Sequence, residues 1–186
     1  YAYNIRLMNH GYRADTEEFS PYDYGVMNTE ARLGVLISIF KDDVPWDAWR
    51  RMRAVSAVYK TKNGEKIVIM RSWGGSLFEY LFPDMFMNEM KYAPESFGEN
   101  NRRAVRIHIE KARELGLQIW GWSPSEDSEG RYLEAGVPEI GERGYPPRQV
   151  SPYSVMLALR YAPKEGIDCL RKIMELNPRV YDPRFG

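Results

Sequence analysis

The chain has 186 residues, the length of one ordinary domain, and 44% of them are hydrophobic against 28% charged, which favours a packed core over disorder. Lysine plus arginine and aspartate plus glutamate both number 26, so the formal net charge is zero; this disfavours a nucleic-acid partner, whose binding needs surplus cations. No apolar run is long enough to insert into a membrane, and Cys169, the only cysteine, excludes an internal disulfide.

Residues 1–25 are rich in Tyr, Asp and Gly without a period and read as loop. Asn28 is placed to cap a helix over 29–41, where Ala31, Leu33, Val35, Leu36, Ile39 and Phe40 predict burial on nearly every side. Asp43-Val44-Pro45 opens a second helix from Trp46 to about Val55. The pattern then alternates, and Asn63-Gly64 between Val58-Tyr59 and Ile67-Val68-Ile69 predicts a β-hairpin. A helix starts at Ser76 and is bent or broken by Pro83. The longest helix spans about Asn100 to Leu115, with Val105, Ile107, Ile109, Ala112 and Leu115 on or near its buried side and Gly116 ending it. His108 within it reads as a satisfied structural histidine. Residues 121–149 lack a period, and a loop of that length is often functional. Ser151-Pro152 and Pro163 open two closing helices, to Tyr161 and to Leu176; Cys169 in the last reads as a buried thiol. About six helices, one hairpin and one long loop result, with no internal repeat.

One cysteine and two distant histidines make no closed zinc site, and Trp73-Gly74-Gly75 lacks the spacing and lysine of a phosphate loop, so no metal or cofactor is implied. His10 and His108 lie in no triad-like context. What remains is carboxylates beside aromatics, which make up 13% of the chain. Acids are the equipment of glycoside hydrolysis, and rings suit the C–H faces of an uncharged sugar; aromatics that merely fill a core are the competing reading. The strongest group is Arg71-Ser72-Trp73-Gly74-Gly75-Ser76-Leu77-Phe78-Glu79-Tyr80. Here Glu79 is either an acid in an apolar pocket or the partner of Ser76 in a capping box. Trp120-Gly121-Trp122-Ser123-Pro124-Ser125-Glu126-Asp127 sets two indoles and two acids at the mouth of the long loop, or forms a polar turn on buried indoles. Glu30 reads as a first-turn acid on the helix dipole.

In order along the chain, Tyr24-Gly25-Val26-Met27-Asn28-Thr29-Glu30-Ala31-Arg32, Asp43-Val44-Pro45 with Trp49, Ser72-Trp73-Gly74-Gly75-Ser76-Leu77-Phe78-Glu79-Tyr80-Leu81 and Trp120-Gly121-Trp122-Ser123 resemble the glycoamylase-like domain of bacterial endo-β-1,2-glucanases and cyclic β-1,2-glucan synthases. Val150-Ser151-Pro152-Tyr153 and Ala162-Pro163-Lys164-Glu165 match its layout, and the likeness runs from Tyr22 to Gly186. The resemblance implies an all-α fold, part of an (α/α)6 toroid with one inserted hairpin, acting on an oligo- or polysaccharide such as β-1,2-glucan. It implies Glu79 as general acid, with Glu30 or Glu126 as second carboxylate. Trp73, Tyr80, Arg32, Trp120, Trp122 and Asp127 would hold sugar. A sugar-binding or scaffolding module without catalysis is the alternative. Pro124 departs from the family pattern, standing where an acid is expected. The chain supplies about half the helices of a full ring and starts at Tyr1 without a leader pattern, so other segments or chains are expected to complete it. The lack of disulfides suits a bacterial cytoplasm and is compatible with a periplasm.

Overall fold

Short-range signals account for most elements of the computed structural model, which describes residues 3–4, 7–180 and 184. Tyr1, Ala2, Ile5 and Arg6 of the expected first loop and Tyr181–Pro183, Phe185 and Gly186 of the C-terminal end lie outside the described residues. The stretch expected as loop carries two small antiparallel pairs, β1 (Tyr3–Asn4) with β2 (Leu7–Met8) and β3 (Tyr12–Arg13) with β4 (Glu18–Phe19). Helix α1 covers Ala31–Phe40. Glu30, not Asn28, is its cap residue; buried Asn28 instead donates its amide to the Met70 carbonyl. Nor is α1 buried all round. Ala31, Arg32, Val35 and Ile39 face inward, while Ile37 and Phe40 are 50% and 76% exposed. Apolar residues on every side do not say which side finds a partner. Helix α2 (Asp47–Arg51) ends short of Val55 because Met52 turns extended and Arg53 bridges to Val26.

Strands β5 (Ser56–Lys60) and β6 (Lys66–Met70) pair around Gly64, whose φ of +82° the tight turn requires. Ala57, Tyr59, Ile67 and Ile69 face the core, their neighbours solvent. The helix expected from Ser76 is three pieces: α3 (Leu77–Leu81), α4 (Asp84–Met87) and α5 (Glu89–Tyr92). Pro83 makes the first break, and left-handed Asn88 (φ 47°) the second. Helix α6 (Phe97–Glu114) is the longest; Leu115, expected on its buried side, is 48% exposed. Within 121–149 lie the pair β7 (Ser125–Glu126) and β8 (Tyr132–Leu133) and a 3₁₀ turn, Pro138–Ile140. Helices α7 (Pro152–Ala158) and α8 (Pro163–Leu176) follow, with a 3₁₀ turn at Pro178–Val180. Among the described residues the chain is mostly helical, and its strands form only two-stranded pairs. That gives eight α-helices against about six expected and four strand pairs against one. Each of the three pairs beyond the expected β5–β6 hairpin has strands of two residues, too short for a period to register.

The main core joins the inner face of β5–β6 to α3, α6, α7 and α8 and the 135–140 segment. A smaller cluster, Val35, Ile39, Ala48 and Met52, lies under α1 and α2. Arg32 ties the two regions together. Its guanidinium, with no exposed surface, donates to both oxygens of buried Glu89 (2.8 and 2.9 Å) and to the carbonyls of Thr29, Glu79 and Tyr80 (2.9, 2.8 and 2.7 Å). Asn101 of α6 adds a 2.8 Å bond to Glu89. Removing one partner of a buried pair strands the other charge, which costs about 3–5 kcal/mol. Urea unfolding of a Glu89→Ala variant should show a loss of that size, far above the value of any surface ion pair here; a loss below ~1 kcal/mol would show that the cluster is not a structural hinge-pin.

Candidate active site

The site is built on a place where two backbones touch. Gly75 has a φ of +76°, and a Cβ there would sit 2.1 Å from the Val137 carbonyl oxygen. A Cβ on Gly74 would sit 2.2 Å from the ring of Tyr145, and one on Gly136 2.4 Å from the Gly74 carbonyl oxygen. Gly74 and Gly75 thus admit another stretch of this chain. Ladder-like bonds hold the approach: Val137 N–H to Gly75 O (2.9 Å), Glu142 N–H to Ser72 O (2.8 Å) and Tyr145 N–H to Gly74 O (2.9 Å). The aperiodic loop is therefore ordered by closing over 72–75.

That closure frames Glu79. The capping box at Ser76 is formed: the Ser76 hydroxyl accepts from the Glu79 N–H, and the Ser76 N–H donates to Glu79 Oε2 at 3.0 Å. Oε2 also accepts from the hydroxyls of Ser72 (2.8 Å) and Ser76 (3.0 Å) and shares the Gly74 N–H with Oε1 (3.0 and 2.9 Å). Among the described residues the two oxygens thus differ: Oε2 is saturated by four donors, while Oε1 has only the shared one. Burial pushes the carboxyl above the usual glutamate range. The Gly74 N–H opposes that rise, the negative charge of Glu30 adds to it, and the bonds from Ser76 and Ser72 oppose it. The net direction is upward. Since Oε2 is filled by donors, a retained proton belongs on Oε1.

Two cavities meet at this carboxyl, of about 340 Å³ and 290 Å³, and Glu30, Trp73 and Glu79 line both. On one side stand His10, Tyr22 and Tyr24, the His10 and Tyr24 rings 4.2 Å apart. On the other stand Phe78, Tyr132, Glu134, Tyr145 and Tyr153. Trp73, 41% exposed, lies between them with its indole N–H donating to the Tyr145 hydroxyl at 3.0 Å. Concave space with aromatic walls and a few convergent acids is what a ligand site requires.

The family described as "Putative glucoamylase" matches residues 21–186. The chain belongs to this glycoamylase family. It is 32% identical over 180 residues to the cyclic beta-(1,2)-glucan synthase NdvB of Rhizobium meliloti (strain 1021), a match covering 92% of this chain and 6% of that protein's length.

Within this glycoamylase-family chain the sequence-predicted site residues divide. Glu79, Glu30 and Trp73 come together at the cavities. Arg32 is buried in the Glu89 cluster, and Tyr80 is buried with its hydroxyl donating to the Ile140 carbonyl at 2.9 Å. Trp120 and Trp122 are core residues, so the reading as buried indoles describes them. Exposed Glu126 lies on β7 and Asp127 closes its turn onto Arg131, neither lining the two cavities. His108 is buried and contacts the Gly75 carbonyl at 3.1 Å; burial pulls its pKa down to about 3, so it stays neutral. Cys169 is a buried thiol, pushed up by burial. Sequence reasoning missed Glu134 and Tyr145. Their signal was the glycine run Gly136, Gly141 and Gly144, which marks close backbone approach and so brings its flanks over another segment.

Gly75→Ala combines a positive φ with a carbonyl clash. Left-handed strain alone costs about 1–3 kcal/mol, so thermal unfolding should show at least that loss, whereas Gly130→Ala, also at positive φ but with open space around it, should cost less.

Proposed function

We propose that this chain is the glycoside hydrolase or transglycosylase domain of a β-glucan-processing enzyme, with β-1,2-linked glucan as its substrate class and a place within an (α/α)6 toroid. One observation carries the reading: a buried carboxyl whose pKa burial raises, Glu79, and a second acid, Glu30, meet exposed Trp73 where two cavities join. Family membership and the likeness to a synthase named for β-1,2-glucan support the choice of substrate. Glu79 is the general acid, delivering its proton from Oε1 to the leaving glycosidic oxygen. Glu30 is the second carboxylate, stabilising positive charge on the sugar or activating the attacking hydroxyl. Trp73 stacks against a sugar face. Arg32, Tyr80, Trp120 and Trp122 serve the site from within, by fixing its walls. Exposed Glu126 receives no step. A non-catalytic sugar-binding role is the second reading, favoured by one specific feature: the complete capping box gives Glu79 a structural task whatever else it does.

Glu79→Gln separates the readings. General acid catalysis is worth ~100- to ~10,000-fold, so turnover on linear β-1,2-glucan should fall by about that much while sugar binding changes little. A purely capping role predicts intact turnover per folded molecule and a stability loss of ~1–2 kcal/mol.

The pH dependence follows from the same carboxyl. A general acid works protonated, so activity should hold below the raised Glu79 pKa and fall as pH rises through it. Folding stability runs the same way. Between the ordinary value of 4.5 and the raised one, the folded state binds the extra proton, so stability declines as pH rises. A pH–rate profile for kcat/KM with its basic limb at an unperturbed carboxylate value would remove Glu79 from this role.

A further inference from the structure

The second cavity contains a carboxylate that the catalytic reading does not use. Glu134 is exposed and lines the same cavity as Glu79, two residues before the Gly136 contact with Gly74. Burial, and after it the neighbouring Glu134, push up the pKa of the half-buried Tyr145 hydroxyl, which puts the two side chains close together. Tyr145 is held three ways. Its N–H donates to the Gly74 carbonyl, its ring covers the face of Gly74 where a Cβ would stand, and its hydroxyl accepts from the Trp73 indole at 3.0 Å. Trp73 and Tyr145 are therefore joined at the wall of the cavity that Glu134 also lines. Among the described residues the lining includes three carboxyl groups, Glu30, Glu79 and Glu134, and no lysine, arginine or histidine.

We propose that Glu134, placed by Tyr145 beside Trp73, is a sugar-binding residue of the second cavity, selecting neutral hexose units and rejecting anionic ones. A carboxylate accepts from two neighbouring hydroxyls of one ring, charge-assisted bonds that are stronger than neutral ones. The negative charges of Glu134 and Glu30, with no cation among the described residues lining this second cavity, oppose a uronic acid or an acidic substituent there, so specificity comes from repulsion as well as attraction. The cleft thus has aromatic walls on both sides of Trp73, with the hydroxyl-reading group Glu134 on the side of the second cavity.

This inference rests on the proposed site, and the experiment tells their failures apart. The Glu79→Gln protein is titrated calorimetrically with a neutral β-1,2-gluco-oligosaccharide and with a uronate-containing oligosaccharide of similar length. Adding Glu134→Gln should weaken the neutral ligand about tenfold or more, the scale of a lost charge-assisted hydrogen bond, and should narrow the gap between the two ligands. Tyr145→Phe, which keeps the ring but frees both Glu134 and Trp73, should weaken the neutral ligand several-fold and leave the uronate weak. Melting temperatures of all variants check folding, and exposed Glu134 should move its own little. Unchanged neutral affinity in a folded Glu134→Gln protein overturns the inference while leaving the catalytic reading in place. Uronate bound as tightly as the neutral sugar before Glu134 is changed also overturns it. No binding of either sugar by the Glu79→Gln protein overturns both.

Discussion

The relation between Glu30 and Glu79 depends on an arginine that touches neither carboxylate. A guanidinium buried without surface exposure costs several kcal/mol in lost hydration unless its donors are satisfied. Arg32 satisfies all five: two to Glu89, and one each to the carbonyls of Thr29, Glu79 and Tyr80. Three elements are thereby held by one planar fork, since Arg32 lies in the first turn of α1, Glu79 and Tyr80 in α3, and Glu89 begins α5. Lysine could not replace it, because a point charge lacks the flat, two-sided donor set. Arg32, which the resemblance implies as a sugar-holding residue, is buried in this cluster and lines neither cavity. It sets where Glu30 stands relative to Glu79.

What was legible followed the range of the signal. The Asn63-Gly64 turn and the alternation around it needed only adjacent residues, and the capping box at Ser76 and Glu79 needed four; both appear in the structure. Pro83 marked a real break, whereas Asn88 in the left-handed region carried no comparable mark. Burial was less readable. Helix α1 looked apolar on every side, yet Ile37 and Phe40 stand in solvent, as do Met156, Ile167, Met174 and Leu176 on the last two helices. The five tryptophans show the same limit. Trp73 and Trp122 each sit beside glycine and serine, but one is a cleft wall and the other is 1% exposed. Neighbouring residues cannot distinguish these fates, because they depend on what packs from elsewhere along the chain: Tyr145 on Trp73, His108 and Val150 on Trp122.

Glu79 shows why spacing left two readings open: both describe the same side chain. One oxygen caps α3 and gathers the Ser72 and Ser76 hydroxyls; the other keeps unused acceptor capacity beside the cavities. A cap is ordinarily exposed and ionised. This one is buried, and desolvation pushes its proton affinity up against the donors that would pull it down. The structural bonds therefore fix the orientation of the carboxyl, leaving the sign of its proton affinity to burial. A group pinned this firmly pays little conformational entropy when a ligand arrives, which is the usual advantage of a preorganised acid.

The loop, in turn, closes over the segment that supplies donors to Glu79. Residues 136–145 press against 72–75 at distances only glycine allows, and the same contact carries Glu134 and Tyr145 to the rim of the second cavity. Ordering those donors and walling the second cavity therefore rest on one backbone contact. A side chain added at Gly74 or Gly75 would push the loop outward, rehydrate the carboxyl and lower its pKa, and at the same time withdraw Tyr145 from Trp73. Such a change should damage proton retention and sugar contact together, whereas changes at Glu134 should touch the second alone. The long stretch without periodicity is in this sense the most constrained part of the site. Its order is set by backbone contact with a distant turn, and hydrophobic period carries no record of that.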